Sequence, residues 1–287
     1  ISNKMNGFLL VNKEKGLSSN EVVQKIKKNF SLNKVGHLGT LDPEADGLLI
    51  IAINRATKFS SYFLDADKSY FVEIKLGVTT DTDDATGKVI KQCDVNFKEV
   101  DVKNEIKNFL GESLQIPPFF SALKHNGKPL YKYARKGEFV NKDPRKIVIK
   151  KINNITYKDS KCAFELSCSK GTYIRSIARD LGKNLGCGGH MYSLKRISQH
   201  NFNIKNALPI SKISMNQLIT IDDALNNFNK INLNNSDTKK FINGVKVDNE
   251  ESKKLGRSNL NRIYNDQGTF LGIGETKMGY LKHKQLV

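Results

Sequence analysis

Apolar positions along the chain fall into runs that differ in period. "FLLVN" (8–12) reads as a strand and is followed by a turn at Lys15–Gly16. A capping box, Ser18-Ser19-Asn20-Glu21, then opens a helix with Val22, Val23, Ile26 and Phe30 on its inner side. "LLIIAI" (Leu48–Ile53) is an unbroken apolar run, the mark of a buried strand, and a short helix is predicted over 56–62. "SYFVEIKL" (69–76) alternates instead, placing Tyr70, Val72, Ile74 and Leu76 on one face. An amphipathic helix suits 97–110, and strands fill 145–168. In 172–186, Ile174, Ile177, Ala178, Leu181 and Leu185 recur at helical spacing, which leaves Arg175 and Arg179 together on another face.

The C-terminal third is patterned differently. Residues 201–235 are rich in Asn and predict peripheral helical elements and a connection. From about residue 237, "FINGVKV", "NRIYND" and "TFLGIGE" read as short strands between glycine and polar turns. They make a β-rich appendage of roughly fifty residues, too small to be comfortably stable alone. Antiparallel strand signals interspersed with helices predict an α+β architecture rather than a doubly wound parallel sheet.

Composition adds a partner class to this picture. The chain has 287 residues, 38% of them hydrophobic and 26% charged, enough for one large domain and a small one. No apolar stretch approaches membrane-span length. "ISNKMNGFLLVNKEKG" lacks a signal-peptide cleavage pattern, so the expected compartment is the cytoplasm. Cys162 and Cys168 alternate with Phe164 and Leu166, and the four cysteines lack zinc-ligand spacing, which suits core thiols. Forty-seven Lys and Arg against 29 Asp and Glu leave a net charge of +18. Without a lysine-rich tail, that field favours nucleic acid over a membrane surface.

Candidate chemistry concentrates in "GHLGTLDPEADG" (36–47). Asp42 precedes Pro43, which disfavours the helical region at Asp42 and fixes it in a turn or extended conformation. Such an aspartate could be a turn former, a nucleophile needing a cationic partner such as Arg175, or one of a glycosidase pair with Glu44 or Asp46. Spacing alone does not bring residue 175 to residue 42. "DTDDATG" (81–87) resembles a calcium loop only superficially, because its glycine and fifth ligand are misplaced. "KHNGKPLYKYARKG" (124–137) mixes basic residues with Tyr131 and Tyr133, as a phosphate-contacting surface with stacking partners would, or a solvated helix face.

Five blocks, in order, closely resemble the bacterial TruB-type tRNA pseudouridine synthases: "MNGFLLVNKEKGLSSN", "GHLGTLDPEADGLL", "RATKFSSYFLDADKSYFVEIKLGVTTDTDDATG", "IPPFFSALKHNGKPLYKYARKGE" and "CSKGTYIRSIARDLGKNLGCGGHMYSLKRI". The resemblance implies isomerisation of uridine to pseudouridine at position 55 in the tRNA T loop, with no cofactor or metal, by a monomer needing no protein partner. The implied fold is a catalytic domain with a mixed, mainly antiparallel sheet (1–232) followed by a small PUA-like RNA-binding domain (233–287). In "GTLDP", Asp42 matches the catalytic aspartate. Tyr70 in "KSYFV" matches a tyrosine packed on the target base, and Arg175 in "GTYIRS" the arginine paired with the aspartate. His37 matches a histidine that fills the space of the flipped base, Tyr173 and Leu194 match substrate-pocket residues, and Lys13 lies in a basic N-terminal motif. Glu14, Asp46 and Ile50 depart from the family's common proline, threonine and proline. Two other readings remain at this point: a non-catalytic tRNA-binding or tRNA-folding protein, and a glycosidase releasing uracil.

Overall fold

The computed structural model describes residues 5–248 and 259–287. The chain begins with β1 (Gly7–Lys13), α1 (Ser19–Asn29), β2 (Val35–His37) and β3 (Asp46–Ile53). The predicted capping box is formed: the Ser18 hydroxyl accepts from the Glu21 N–H, and the Glu21 carboxylate accepts from the Ser18 N–H. After β3 the expected short helix is a 3-10 segment, Asn54–Phe59, continued by α2 (Ser61–Leu64). The alternating run is β4 (Lys68–Leu76), with all four predicted positions buried. A small hairpin of β5 (Val78–Thr80) and β6 (Val89–Gln92) leads to α3 (Glu99–Lys107) and β7 (Gly111–Gln115). The excursion over 116–144 holds a second hairpin, β8 (Lys124–His125) and β9 (Lys128–Pro129), and α4 (Leu130–Ala134). Then come β10 (Arg145–Lys158), β11 (Lys161–Cys168), α5 (Ile174–Asn184) and β12 (Gly189–Gln199).

Among the described residues these strands build one ten-stranded sheet whose main path is β14-β1-β3-β12-β4-β11-β10-β7, where β14 is Ile219–Thr220. β2 pairs with β3, and β13 (Phe202–Asn203) with β12. Pairing is antiparallel except between β3 and β12. The apolar patterns explain the layers. Leu9, Val11, Leu49 and Ile51 join Val22, Ile26, Ile174, Ile177 and Leu181 in a core on one face of the sheet. Their alternates Phe8, Leu10, Leu48 and Ile50 join Phe59, Phe63 and Phe202 in a second core on the other. β1 and β3 are therefore covered on both faces and read as continuous apolar runs, whereas β4 is covered on one and alternates.

The peripheral stretch after β13 holds mostly 3-10 turns, β14 and α6 (Ile221–Ala224). A second sheet, of five strands among the described residues, has the order β15-β17-β18-β19-β16. These are β15 (Asn229–Asn232), β16 (Val247–Asp248), β17 (Asn259–Tyr264), β18 (Phe270–Lys277) and β19 (Tyr280–Leu286). Two expectations change here. The start of "FINGVKV" ends a helix, α7 (Asn235–Ile242), capped by Asn234, rather than forming a strand. The second concerns the second sheet's makeup: β15, which lies ahead of residue 233, pairs in parallel with β17. Ile273 packs into the second core, and Arg262 on β17 pairs with Asp222 at 3.0 Å, so the small unit leans on the large one. No helix among the described residues is long and apolar enough to cross a membrane.

Candidate active site

Strand register puts three residues in one row across the sheet. Gly47 on β3 lies opposite Arg196 on β12, and Arg196 lies opposite Tyr70 on β4. Gly47 is required at this crossing: its φ is +105°, and a Cβ there would sit 2.4 Å from the Arg196 carbonyl oxygen. The loop that enters β3, residues 38–45, therefore emerges at the level of Tyr70. β11 ends beside the start of β4, with Cys168 opposite Lys68, and delivers the N-terminus of α5 to the same place. The result is an ion pair between segments far apart in sequence, with Arg175 Nε 3.1 Å from Asp42 Oδ2. Arg175 is nearly buried, while the Asp42 side chain is 40% exposed, so the carboxylate is held from below and open from above.

The loop itself is held at every carbonyl from residue 38 to residue 43. Gln199 Nε2 donates to Leu38 O, and Arg196 donates to Gly39 O at 2.9 Å and, less closely, to Thr40 O at 3.4 Å. Ser19 Oγ donates to Leu41 O at 2.9 Å and accepts from Leu41 N–H at 2.8 Å. Ala45 N–H donates to Asp42 O, and both Gly16 N–H and Lys13 Nζ donate to Pro43 O. Buried backbone acceptors without partners are costly, so this pairing leaves the loop one well-defined path.

Tyr70 and Tyr173 stand around the pair. Tyr70 is buried, and desolvation pushes its phenol up to about 12 even though Arg196 opposes the shift. Tyr173 caps α5; its N–H and C=O are both engaged by the buried Gln115 amide, at 2.8 and 3.0 Å. Its phenol is likewise raised by burial. Leu194 lies opposite Val72 in the same core as Tyr70. His37 ends β2, half-buried, with Nδ1 lacking a hydrogen-bond partner among the described residues; burial and then the charge of Arg196 lower its pKa, so the ring is neutral at pH 7.

Lys13 does not reach the site surface. It is fully buried, and its ammonium donates to the carbonyls of Glu14, Leu17 and Pro43 at 3.0, 2.6 and 3.1 Å. Its donors are committed to backbone beneath the turn, where the ammonium shapes the turn. Burial lowers its pKa, against the pull of Asp46, Glu44 and Asp42. Asp46 pairs with Lys195 at 3.1 Å. The acidic stretch 81–87 turns its carboxylates inward: Asp83 meets Arg179 at 3.3 Å, Asp84 lies 3.9 Å from Arg175, and Asp84 Oδ1 also accepts from Thr82 and Thr86.

In the excursion, Tyr133 donates to the His125 carbonyl and Tyr131 lies beneath Arg135, so both tyrosines are engaged in local packing. Lys124, Lys128, Lys132, Arg135 and Lys136 are exposed. Arg196, Gln199, Ser19 and Gln115 were missed by sequence reasoning. The available signal was Arg196 at the same strand parity as Leu194 in "YSLKRIS", a charged residue where the pattern calls for an apolar one.

Family models match consecutive parts of the chain: "TruB family pseudouridylate synthase (N terminal domain)" over 27–174, "tRNA pseudouridylate synthase B C-terminal domain" over 175–229, and "Pseudouridine synthase II TruB, C-terminal" over 230–287. A tRNA pseudouridine synthase B of Clostridium kluyveri is 41% identical over 278 residues, 95% of this chain and 96% of the relative. One from Methylobacillus flagellatus is 39% identical over 295 residues, covering 100% and 97%. A chain in the crystal structure of a Cbf5–Nop10–Gar1 complex matches with a TM-score of 0.71 at 22% identity, over 95% of this chain and 79% of that one, a likeness of fold.

Proposed function

This chain belongs to the TruB family of pseudouridylate synthases and is a tRNA pseudouridine synthase, and on that premise we propose that it isomerises the uridine at position 55 of the T loop with Asp42 as the reacting group. The observation that carries this reading is the Asp42–Arg175 ion pair, open to solvent on one side and set in a loop whose carbonyls from residue 38 to residue 43 are all satisfied. Isomerisation breaks the N1–C1′ bond, turns the uracil, forms the C5–C1′ bond, releases the C5 proton to water and takes up a proton from water at N1. A base inside a folded loop must leave its stack before these atoms are reached.

Each side chain then has a task. Asp42 acts on the extruded nucleoside, and Arg175 holds that carboxylate aimed. Tyr70, a neutral phenol at pH 7, packs against the uracil ring, with Leu194 and Tyr173 closing the pocket around it. His37, neutral and half-buried, fills the gap left in the loop. Lys13 sets the turn that presents Asp42. The exposed lysines of the 124–136 excursion and the small C-terminal unit hold phosphates of the T arm, by contacts that position the RNA without reading its sequence.

The test uses tRNA carrying tritium at uridine C5. Asp42→Asn is expected to release no tritium while retaining tRNA affinity, and mass spectrometry of the wild-type product is expected to place pseudouridine at position 55. Tritium release by Asp42→Asn would overturn the assignment, and pseudouridine at another position would overturn the target. An abasic product would point to uracil release instead.

A further inference from the structure

Arg196 is an arginine buried to 1% exposure. Its Nε donates to Leu48 O at 2.7 Å, its two terminal nitrogens donate to Gly39 O and Thr40 O, and it stands directly opposite Tyr70 across the strand pair. Among the described residues it forms no ion pair. Tyr70 is the acid that faces it, while the other titratable groups that feel its charge, His37, Lys13 and Lys68, are bases. A buried cation without a carboxylate is expensive to keep. A neutral amide suffices to tether backbone in the same strand, as Gln199 does for Leu38 O and Phe63 O.

The place of Arg196 in the sheet explains why a guanidinium is used. Asp42 and Tyr70 lie on different elements, the loop before β3 and the strand β4, and β12 runs between them. Arg196 is the β12 residue in register with both Gly47 and Tyr70. We propose that Arg196 is a positioning residue of the isomerisation: standing opposite Tyr70 across the strand pair, its planar fork ties that position to the Gly39–Thr40 backbone, so that the aromatic ring and the Asp42 carboxylate keep one spacing while a nucleotide is driven between them. This rests on the reading that Asp42 and Tyr70 meet the nucleotide. Lysine cannot substitute, because its three donors radiate from a single atom, whereas the guanidinium reaches separate acceptors in one plane.

The test is a double-mutant cycle in the full chain, with Arg196→Lys, Tyr70→Phe and the double variant. Tritium release is measured in single turnover with enzyme in excess, tRNA affinity by filter binding, and folding by circular dichroism. Arg196→Lys is expected to slow the single-turnover rate by roughly thirtyfold or more with tRNA affinity within about threefold, since the buried charge touches no phosphate. In the Tyr70→Phe background the loss from Arg196→Lys is expected to shrink by roughly threefold or more, because the two side chains stand opposite each other across the strand pair and act as neighbours. A folded Arg196→Lys protein with a rate near wild type, or the same loss in both backgrounds, would overturn the proposal. Activity of Asp42→Asn, run alongside, would instead overturn the underlying reading of the site. Where Arg196→Lys does not fold, arginine side-chain ¹⁵N–¹H spectra of wild type and Tyr70→Phe put the same question. A slowly exchanging guanidinium signal that moves on loss of the phenol oxygen supports the tie, and one that does not move refutes it.

Discussion

Ser19→Ala tests whether the backbone of the Asp42 loop governs the reaction. Ser19 is the first residue of α1 and is 2% exposed, and its hydroxyl serves both polar groups of Leu41, the residue before Asp42. Alanine leaves a buried N–H and a buried C=O without partners, each costing about 1–3 kcal/mol. Alanine returns roughly 0.5 kcal/mol through its better helix propensity. The net loss is about 3 kcal/mol, which for a chain of this size lowers Tm by roughly 5–10 °C.

That free energy can surface in either of two measurements. If the loop keeps its path, the loss appears in Tm. If the loop relaxes so that water reaches Leu41, Tm is spared and Asp42 leaves its place opposite Arg175. In that case about 3 kcal/mol corresponds to roughly a hundredfold in single-turnover tritium release. Ser18→Ala is the control, because it removes only the helix cap, worth about 1 kcal/mol, and should leave the rate unchanged. A Ser19→Ala protein with both Tm and rate at wild-type values would refute the reasoning.

Two further outcomes follow from the buried charges. Burial raises the Asp83 carboxyl to about 6 despite Arg179, so the folded protein binds a proton that the unfolded chain releases near pH 4, and Asp83 erodes stability as pH rises between these values. The Tm of Asp83→Asn relative to wild type is therefore expected to climb from pH 4 to pH 7 and level off above, with a ceiling of about 3 kcal/mol; a difference that does not vary with pH would exclude the shift. Lys13→Met is expected to lower stability and rate while the salt dependence of tRNA affinity stays as in wild type, whereas Lys132→Met should reduce that slope by about one. A shallower slope for Lys13→Met would restore a direct phosphate contact.

The fold was legible where one segment carries its own pattern. The continuous run at β3, the alternation at β4, the α1 capping box and the α5 stripe each state a period, and each formed as read. α7 was misread because Phe241 alone in it is buried, so its helical face carries no stripe, while Phe241-Ile242 looks like a strand start. The site was less legible. Spacing offered Asp42 as one of three acids and left Arg175 on a helix face with no address, since the meeting depends on β11 pairing with β4 and on α5 following it. The residues that set the loop were invisible for a different reason. Ser19, Gln199 and Arg196 bind carbonyl oxygens, and a backbone acceptor leaves no mark on the identity of the residue that owns it.

The same distinction divides the net charge of +18, which as a sum suggests one uniform field. Lys13, Arg175, Arg196 and Arg262 are buried and spend their charge on backbone carbonyls or on carboxylates. They release no counterions when RNA arrives, so they set geometry and contribute nothing to the salt dependence of binding. The exposed lysines of the excursion do the reverse: no acid is paired with Lys124, Lys128, Lys132 or Lys136 among the described residues, and they can meet phosphates without rearranging the core. On the proposed reading, affinity and catalysis are carried by different cations. Substitutions in the excursion should change how tightly tRNA is held and how steeply salt weakens it, whereas substitutions beneath the Asp42 loop should change the rate at which bound uridine reacts.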